Sequence, residues 1–201
     1  MNYFPYKIYC DMDGVLVDFE RGVVAAINKQ LSSKNPFRPK AAAKIFQELG
    51  RNYVELKDIK KGSSTSSSAA RSYMYALVED NEDWWAKLPW QPGGKELWSY
   101  IRQFDPEILT APMDKGGKVG SLPGKLRWVE KNLKINPDRV TFEHEKWKYA
   151  VSDDEKQNIL IDDFPSKIDP WDAAGGIGIL HINADNTIKI LKLLKDTDEA
   201  S

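Results

Sequence analysis

Residues 7–22 read KIYCDMDGVLVDFERG. The run Tyr6–Cys10 is short, β-rich and bounded by Pro5, so it is expected to be a strand. It ends in Asp11 and Asp13, one residue apart, followed by Gly14. Two like charges at the rim of a core raise one another's pKa and cost stability unless something compensates them. What compensates them is the question the rest of the chain has to answer.

Downstream the pattern turns helical. Phe19, Val23, Val24, Ile27 and Leu31 recur at spacings of three and four, and SSKNPFRP (32–39) breaks the run. A second helix is expected over 40–50, with Gly50 as its C-cap. KKGSSTSSSAARS (60–72) is the one low-complexity patch and reads as a flexible surface loop. Helical character resumes over 72–88, PWQPGG (89–94) is a turn, and 94–104 is an amphipathic helix on Leu97, Tyr100, Ile101 and Phe104.

Then strands and helices alternate. Strands are expected at 106–111, 138–143, 158–163 and 176–182. Helices are expected at 123–133 and 186–195, with a short broken one at 166–175. Such alternation means a parallel sheet covered on both faces, and nearly all-apolar runs such as NILI (158–161) agree. Residues 18–92 carry helices and loops but no convincing strand. The expected division is therefore a core of 1–17 and 93–201 with a helical insertion, 18–92, after the first strand.

Composition narrows the function. The chain has 201 residues, 41% hydrophobic and 29% charged, with a formal net charge of −1. No bulk basic field exists to hold a nucleic acid, and no stable complex with one is expected. The single cysteine, Cys10, excludes an internal disulfide and suits a reducing compartment. No apolar stretch approaches the ~20 residues of a membrane helix. No signal peptide is recognisable in MNYFPYKIY, and a cytoplasmic protein is expected.

In open α/β sheets, ligands bind beyond the carboxyl ends of the strands. Here the first strand ends in Asp11 and Asp13, the second in Thr110, and the fourth in Asp162 and Asp163; the third runs into EHEK (143–146). A single DxD or DD is an ordinary turn, cap or solvated loop. Two such pairs directly after apolar strands, with a strand-end threonine between them, point to a hard divalent cation such as Mg²⁺. That ion takes oxygen ligands and typically combines one or two carboxylates with a substrate phosphate.

Together DMDGVLVDF (11–19), ILTAP (108–112), the later lysines and ILIDDFP (159–165) resemble the haloacid dehalogenase (HAD) superfamily of phosphatases, in motif order and over essentially the whole chain. Within it, DMDGVLVDFE, RWVEKNL (127–133), the aromatic stretch before LPWQPGG and IDDFP look most like 5'(3')-deoxyribonucleotidases. The resemblance implies a Rossmann-like parallel sheet with helices on both faces and a small helical cap inserted after the first strand. It implies a Mg²⁺-dependent nucleotidase working through an aspartyl-phosphate, with Asp11 as nucleophile and Asp13 as general acid and base. Asp11, the Asp13 carbonyl and the Asp162/Asp163 pair would hold the metal, either of the last two ligating directly. Thr110 would bind a phosphoryl oxygen, with Ala111 beside it where related enzymes often place a small polar residue. Lys146 is the expected motif lysine, Lys148 its rival, and Lys125 reads as an ordinary helix start.

Substrate choice would fall to the insertion. Trp84 and Trp85 would stack on a base or glue the cap to the core; one of the two is expected to be packing only, and the resemblance tips the pair towards the pocket. Phe19 would touch substrate or start its helix. His144 and His181 read as structural. The expected partner is a small nucleotide phosphomonoester, and a homodimer is compatible with the sequence. The alternatives are a phosphatase of the same fold with another small substrate, or a catalytically idle copy kept for binding.

Overall fold

The computed structural model describes residues 4–60, 63–113 and 120–199. In chain order it contains β1 Lys7–Cys10, α1 Phe19–Leu31, α2 Pro39–Leu49, α3 Leu56–Ile59, α4 Ser68–Val78, α5 Glu82–Trp85 and α6 Gly94–Ile101. There follow β2 Glu107–Thr110, α7 Ser121–Leu133, β3 Val140–Phe142, β4 Asn158–Asp162, α8 Pro165–Ala173, β5 Ile177–Leu180 and α9 Ala184–Glu199. Packing groups Met1–Asp18, Pro89–Pro112 and Val129–Ser201 into a sheet unit, and Phe19–Leu88 with Met113–Trp128 into a helical unit.

In the sheet unit all five strands are parallel, in the order β3-β2-β1-β4-β5. β1 is central, with Cys10 opposite Ile108 on one side and Ile161 on the other. Both alternating side-chain sets are buried: Ile8, Cys10, Ile108, Ile159 and Ile161 on one face, Leu109 and Leu160 on the other. A sheet dry on both faces is what continuous apolar strands require. On the second face Leu109 and Leu160 pack with Ile168 and Trp171 of α8, and Tyr9 lies against them. The Trp171 indole donates to Asn158 O at 3.1 Å. That anchoring accompanies an α8 that runs through Pro170 instead of breaking there.

In the helical unit, the helical character expected over 72–88 is carried by two helices, α4 and α5. Asn81 caps α5 by accepting from Trp84 N at 3.1 Å, which ends α4 and restarts the chain. α4 begins early, inside the serine-rich patch, where Ser67 Oγ accepts from Ala70 N at 2.9 Å. Glu48 reaches across to the same helix start, accepting from Ser67 Oγ, Ser68 Oγ and Ala69 N. The C-terminal half of the patch is thus ordered helix rather than flexible loop, and Lys61 and Gly62 lie outside the described residues. Gly50 ends α2 at φ 67°, with its N–H donating to Phe46 O.

The helical unit also takes in residues 113–128, and small residues explain why. A Cβ on Gly124 would stand 2.4 Å from the Trp85 Cβ, and one on Gly120 2.5 Å from the Asp80 Cα. The Trp128 indole donates to Leu88 O at 2.8 Å. Among the described residues no helix is long and apolar enough to cross a membrane.

Candidate active site

Parallel pairing of β1 with β4 sets the site. Asp11 N donates to Ile161 O at 2.8 Å, so the residue after β1 stands beside Asp162, the last residue of β4. The loop after Asp11 closes tightly: Met12 O accepts from both Leu16 N and Val17 N, and Gly14 N donates to Val17 O. Gly14 has φ 82°, and a Cβ there would stand 2.3 Å from Asp163 Oδ2. Only glycine permits that turn and that approach.

Lys146 enters from the 3-10 turn Lys146–Tyr149 after β3. Its Nζ donates to Asp11 Oδ1 and to Asp162 Oδ2, each at 2.6 Å, and the side chain is 2% exposed. The preceding loop is tied down by Lys167 of α8, whose Nζ donates to His144 O at 2.7 Å. Lys148 points elsewhere: it is exposed and pairs with Glu143 and Glu145 at 3.3 and 2.7 Å. The structure thus separates the two rival lysines by burial.

The electrostatics are unbalanced. One ammonium faces the three carboxylates Asp11, Asp162 and Asp163, which can bring oxygens within 4.8 Å of one another. Burial pulls Lys146 down, but Asp11 and Asp162 outweigh it and hold the ammonium above its ordinary range. Burial, then Asp11, push Asp162 up against the pull of Lys146. Asp163 is pushed up to about 7, by burial first and then by Asp11 and Asp162. Such shifts mark negative charge in excess of local compensation.

A divalent cation fits that excess. Asp162 has both oxygens engaged, Oδ2 by Lys146 and Oδ1 by Phe164 N at 2.9 Å. Asp163 Oδ1 is buried with no hydrogen-bond partner, which leaves it open to a metal. An all-oxygen donor set of this kind suits Mg²⁺. The Asp13 carboxylate is not part of the three-residue cluster; its expected metal contact is through its backbone carbonyl.

The remaining expected residues divide between the units. Thr110 closes β2, is 1% exposed, and its carbonyl accepts from Glu143 N at 3.1 Å; Ala111 follows it, half-buried. Asp18 N donates to Pro89 O. Phe19, Trp84 and Trp85 belong to the helical unit. Trp85 is 1% exposed, stacks on Phe19 at 5.3 Å and 23°, and donates to Val78 O at 2.8 Å. It is a packing residue there, whereas Trp84 is only half-buried, edge-on to Phe19 at 5.7 Å. His181 is buried, Nδ1 2.8 Å from Thr187 Oγ1. Burial pushes the Cys10 thiol well above its ordinary value, so it is inert.

Lys125 departs from the sequence reading. It is 1% exposed, not a solvated helix start, and its Nζ lies 5.2 Å from the Trp85 ring centroid. The signal was present: Lys125, Trp128 and Val129 share one helical face at i, i+3 and i+4.

No family model matches the chain, and no curated protein sequence does. Solved structures of similar outline do exist. One is a hydrolase from Streptococcus pneumoniae, 15% identical with a TM-score of 0.49, covering 94% of this chain and 100% of that one. Another is a HAD-superfamily hydrolase from Ehrlichia chaffeensis, 14% identical at 0.47, covering 94% and 97%. A third is a phosphonoacetaldehyde hydrolase-like protein from Oleispira antarctica, 13% identical at 0.43, covering 100% and 86%. At these values no residue roles are carried across.

Proposed function

We propose that this chain is a phosphomonoesterase of the haloacid dehalogenase type, acting on a (deoxy)nucleoside monophosphate. The observation that carries the reading is the buried contact of Lys146 with Asp11 and Asp162, with Asp163 beside them, at the ends of adjacent strands. A carboxylate held by a buried ammonium has a fixed orientation, which is what in-line attack needs.

In this reading an Asp11 oxygen attacks phosphorus while the ester P–O bond breaks, giving an aspartyl-phosphate and an alkoxide. Asp13 gives its proton to the alkoxide, then takes one from the water that attacks the aspartyl-phosphate. Inorganic phosphate leaves and Asp11 is restored. Lys146 offsets phosphoryl charge, and the Thr110 hydroxyl donates to a phosphoryl oxygen. Mg²⁺ held by Asp11, the Asp13 carbonyl and the Asp162/Asp163 pair would screen the repulsion between nucleophile and phosphate. The nucleotide preference is supported by the resemblance of the motifs and by Trp84, an aromatic face left partly open in the helical unit.

A phosphate-release screen over nucleoside and sugar monophosphates with Mg²⁺, run beside Asp11→Asn, tests the reading. Wild type should release phosphate, fastest from nucleotides, and Asp11→Asn should not. Release from no substrate, or equal activity in the variant, would overturn it. Faster turnover of sugar phosphates would overturn only the nucleotide part.

A further inference from the structure

Away from the strand-end cluster, α2 and α4 of the helical unit leave a cleft of about 140 Å³ between them. One water needs only ~10–15 Å³ of such space, so the cleft has room for a group of several heavy atoms. Small residues make the gap: Ala41 on α2 faces Ser68 and Ser72 on α4. Arg38 and Lys44 also line it, and no lining residue is acidic.

The two cations have few calls on them. Among the described residues neither Arg38 nor Lys44 forms an ion pair. Glu48, at the edge of the cleft, is held by the Ser67 and Ser68 hydroxyls and Ala69 N, and Lys44 acts on it only through a weaker electrostatic attraction. Arg38 is held in a costly way. It occupies the N-cap position of α2 at φ 48°, a region disfavoured for any residue with a Cβ, and makes no side-chain cap bond. A capping residue there would be Ser, Thr, Asp or Asn. Instead the chain is fixed just before it, where Tyr73 Oη donates to Phe37 O at 2.6 Å, and the guanidinium lies 5.1 Å from the Phe37 ring centroid. The strained backbone thus sets an exposed guanidinium, over the Phe37 ring but in no ion pair among the described residues, beside the open cleft.

We infer that the α2/α4 cleft binds a phosphate-type oxyanion, with Arg38 and Lys44 as its counter-charges and the Ser72 hydroxyl as a donor. Arginine suits this task because its planar fork grips two phosphate oxygens together. The oxyanion comes either as free inorganic phosphate or as the phosphate of a small monoester. The site goes beyond the hydrolysis proposed above and does not depend on it.

The test is an amide NMR titration of the full chain with inorganic phosphate and, separately, with methyl phosphate. Inorganic phosphate should shift the Ala69 and Ser72 amides saturably, and Arg38→Gln/Lys44→Gln should weaken that response at least tenfold. Shifts of the Asp11–Gly14 amides, if any, should be unchanged in the variant, so failure of the strand-end reading is seen independently. Ser72→Asp, at an exposed position, places a carboxylate in the cleft and should abolish the response without touching Arg38. A stronger response to methyl phosphate than to phosphate assigns the site to monoesters; the reverse assigns it to the free ion. No saturable shift with either ligand, or an unaltered response in both variants, overturns the inference.

Discussion

Lys146 Nζ stands 2.6 Å from Asp11 Oδ1 although 135 residues of chain separate the two. The ammonium is shared with Asp162, and all three side chains are nearly or wholly buried. Removing one partner of a buried ionic group costs roughly 3–5 kcal/mol, because the charges left behind have no solvent. Lys146→Met should therefore lose about that much stability in urea unfolding, and phosphate release with it. Unchanged stability would mean that the lysine is not the counter-charge described here.

Metal should stabilise the fold. A ligand at 100 times its Kd adds ~2.7 kcal/mol, which for a chain of this size raises Tm by roughly 5–10 °C. Mg²⁺ added to EDTA-treated protein should produce a rise of that kind, and Asp163→Asn should lose most of it. An equal rise in both proteins would place the ion elsewhere.

Gly14 is held at φ 82° with Asp163 pressed against it. Gly14→Ala adds a strained backbone, ~1 kcal/mol or more, and a methyl where Asp163 Oδ2 now lies. Lower stability in EDTA and a smaller Mg²⁺ response are both expected. A variant matching wild type in both measurements would show that the loop yields freely.

The two adjacent tryptophans should differ in kind. Trp85→Ala removes a buried ring and should cost ~3–5 kcal/mol of stability, read by denaturant unfolding. Trp84→Ala, which loses edge contacts with Phe19 and Trp85, should cost less stability than Trp85→Ala and raise KM for nucleotides about five- to 150-fold if a base stacks there, worth ~1–3 kcal/mol. KM for an alkyl phosphate should not move. Equal KM changes on both substrates would leave Trp84 a packing role alone.

His181 gives the fold an acid-side slope. Burial lowers its pKa from the ordinary 6.5. As pH falls through that value the unfolded chain takes the proton first, so stability present at neutral pH is lost on acidification. Asp163, pushed up to about 7, contributes a slope of opposite sign over the same range, so His181→Gln should make the unfolding free energy fall less, or rise more, from pH 7.5 to pH 5 than in wild type. The same slope in both proteins would assign the effect to other groups.

The strand ends were legible because their signals are local: an apolar run, then carboxylates, at Cys10–Asp13 and again at Ile161–Asp163. Either pair alone reads as an ordinary turn or cap; their recurrence after apolar strands, with Thr110 between, marks the site, and the alternation of strands and helices sufficed for a parallel sheet. Burial of a lysine is not local. Lys125, Lys146 and Lys148 differ in sequence only by neighbours, yet two are sealed from solvent and one is not. Likewise, the C-terminal half of the serine-rich stretch is helical, and Glu48, some twenty residues away, satisfies N–H and hydroxyl groups at that helix start. Where charge leaves the core depends on adjacent residues and is readable along the chain. Which cation meets that charge depends on the fold, because a counter-ion pairs through space, and the distance that matters is set by strands β1 and β4 lying side by side.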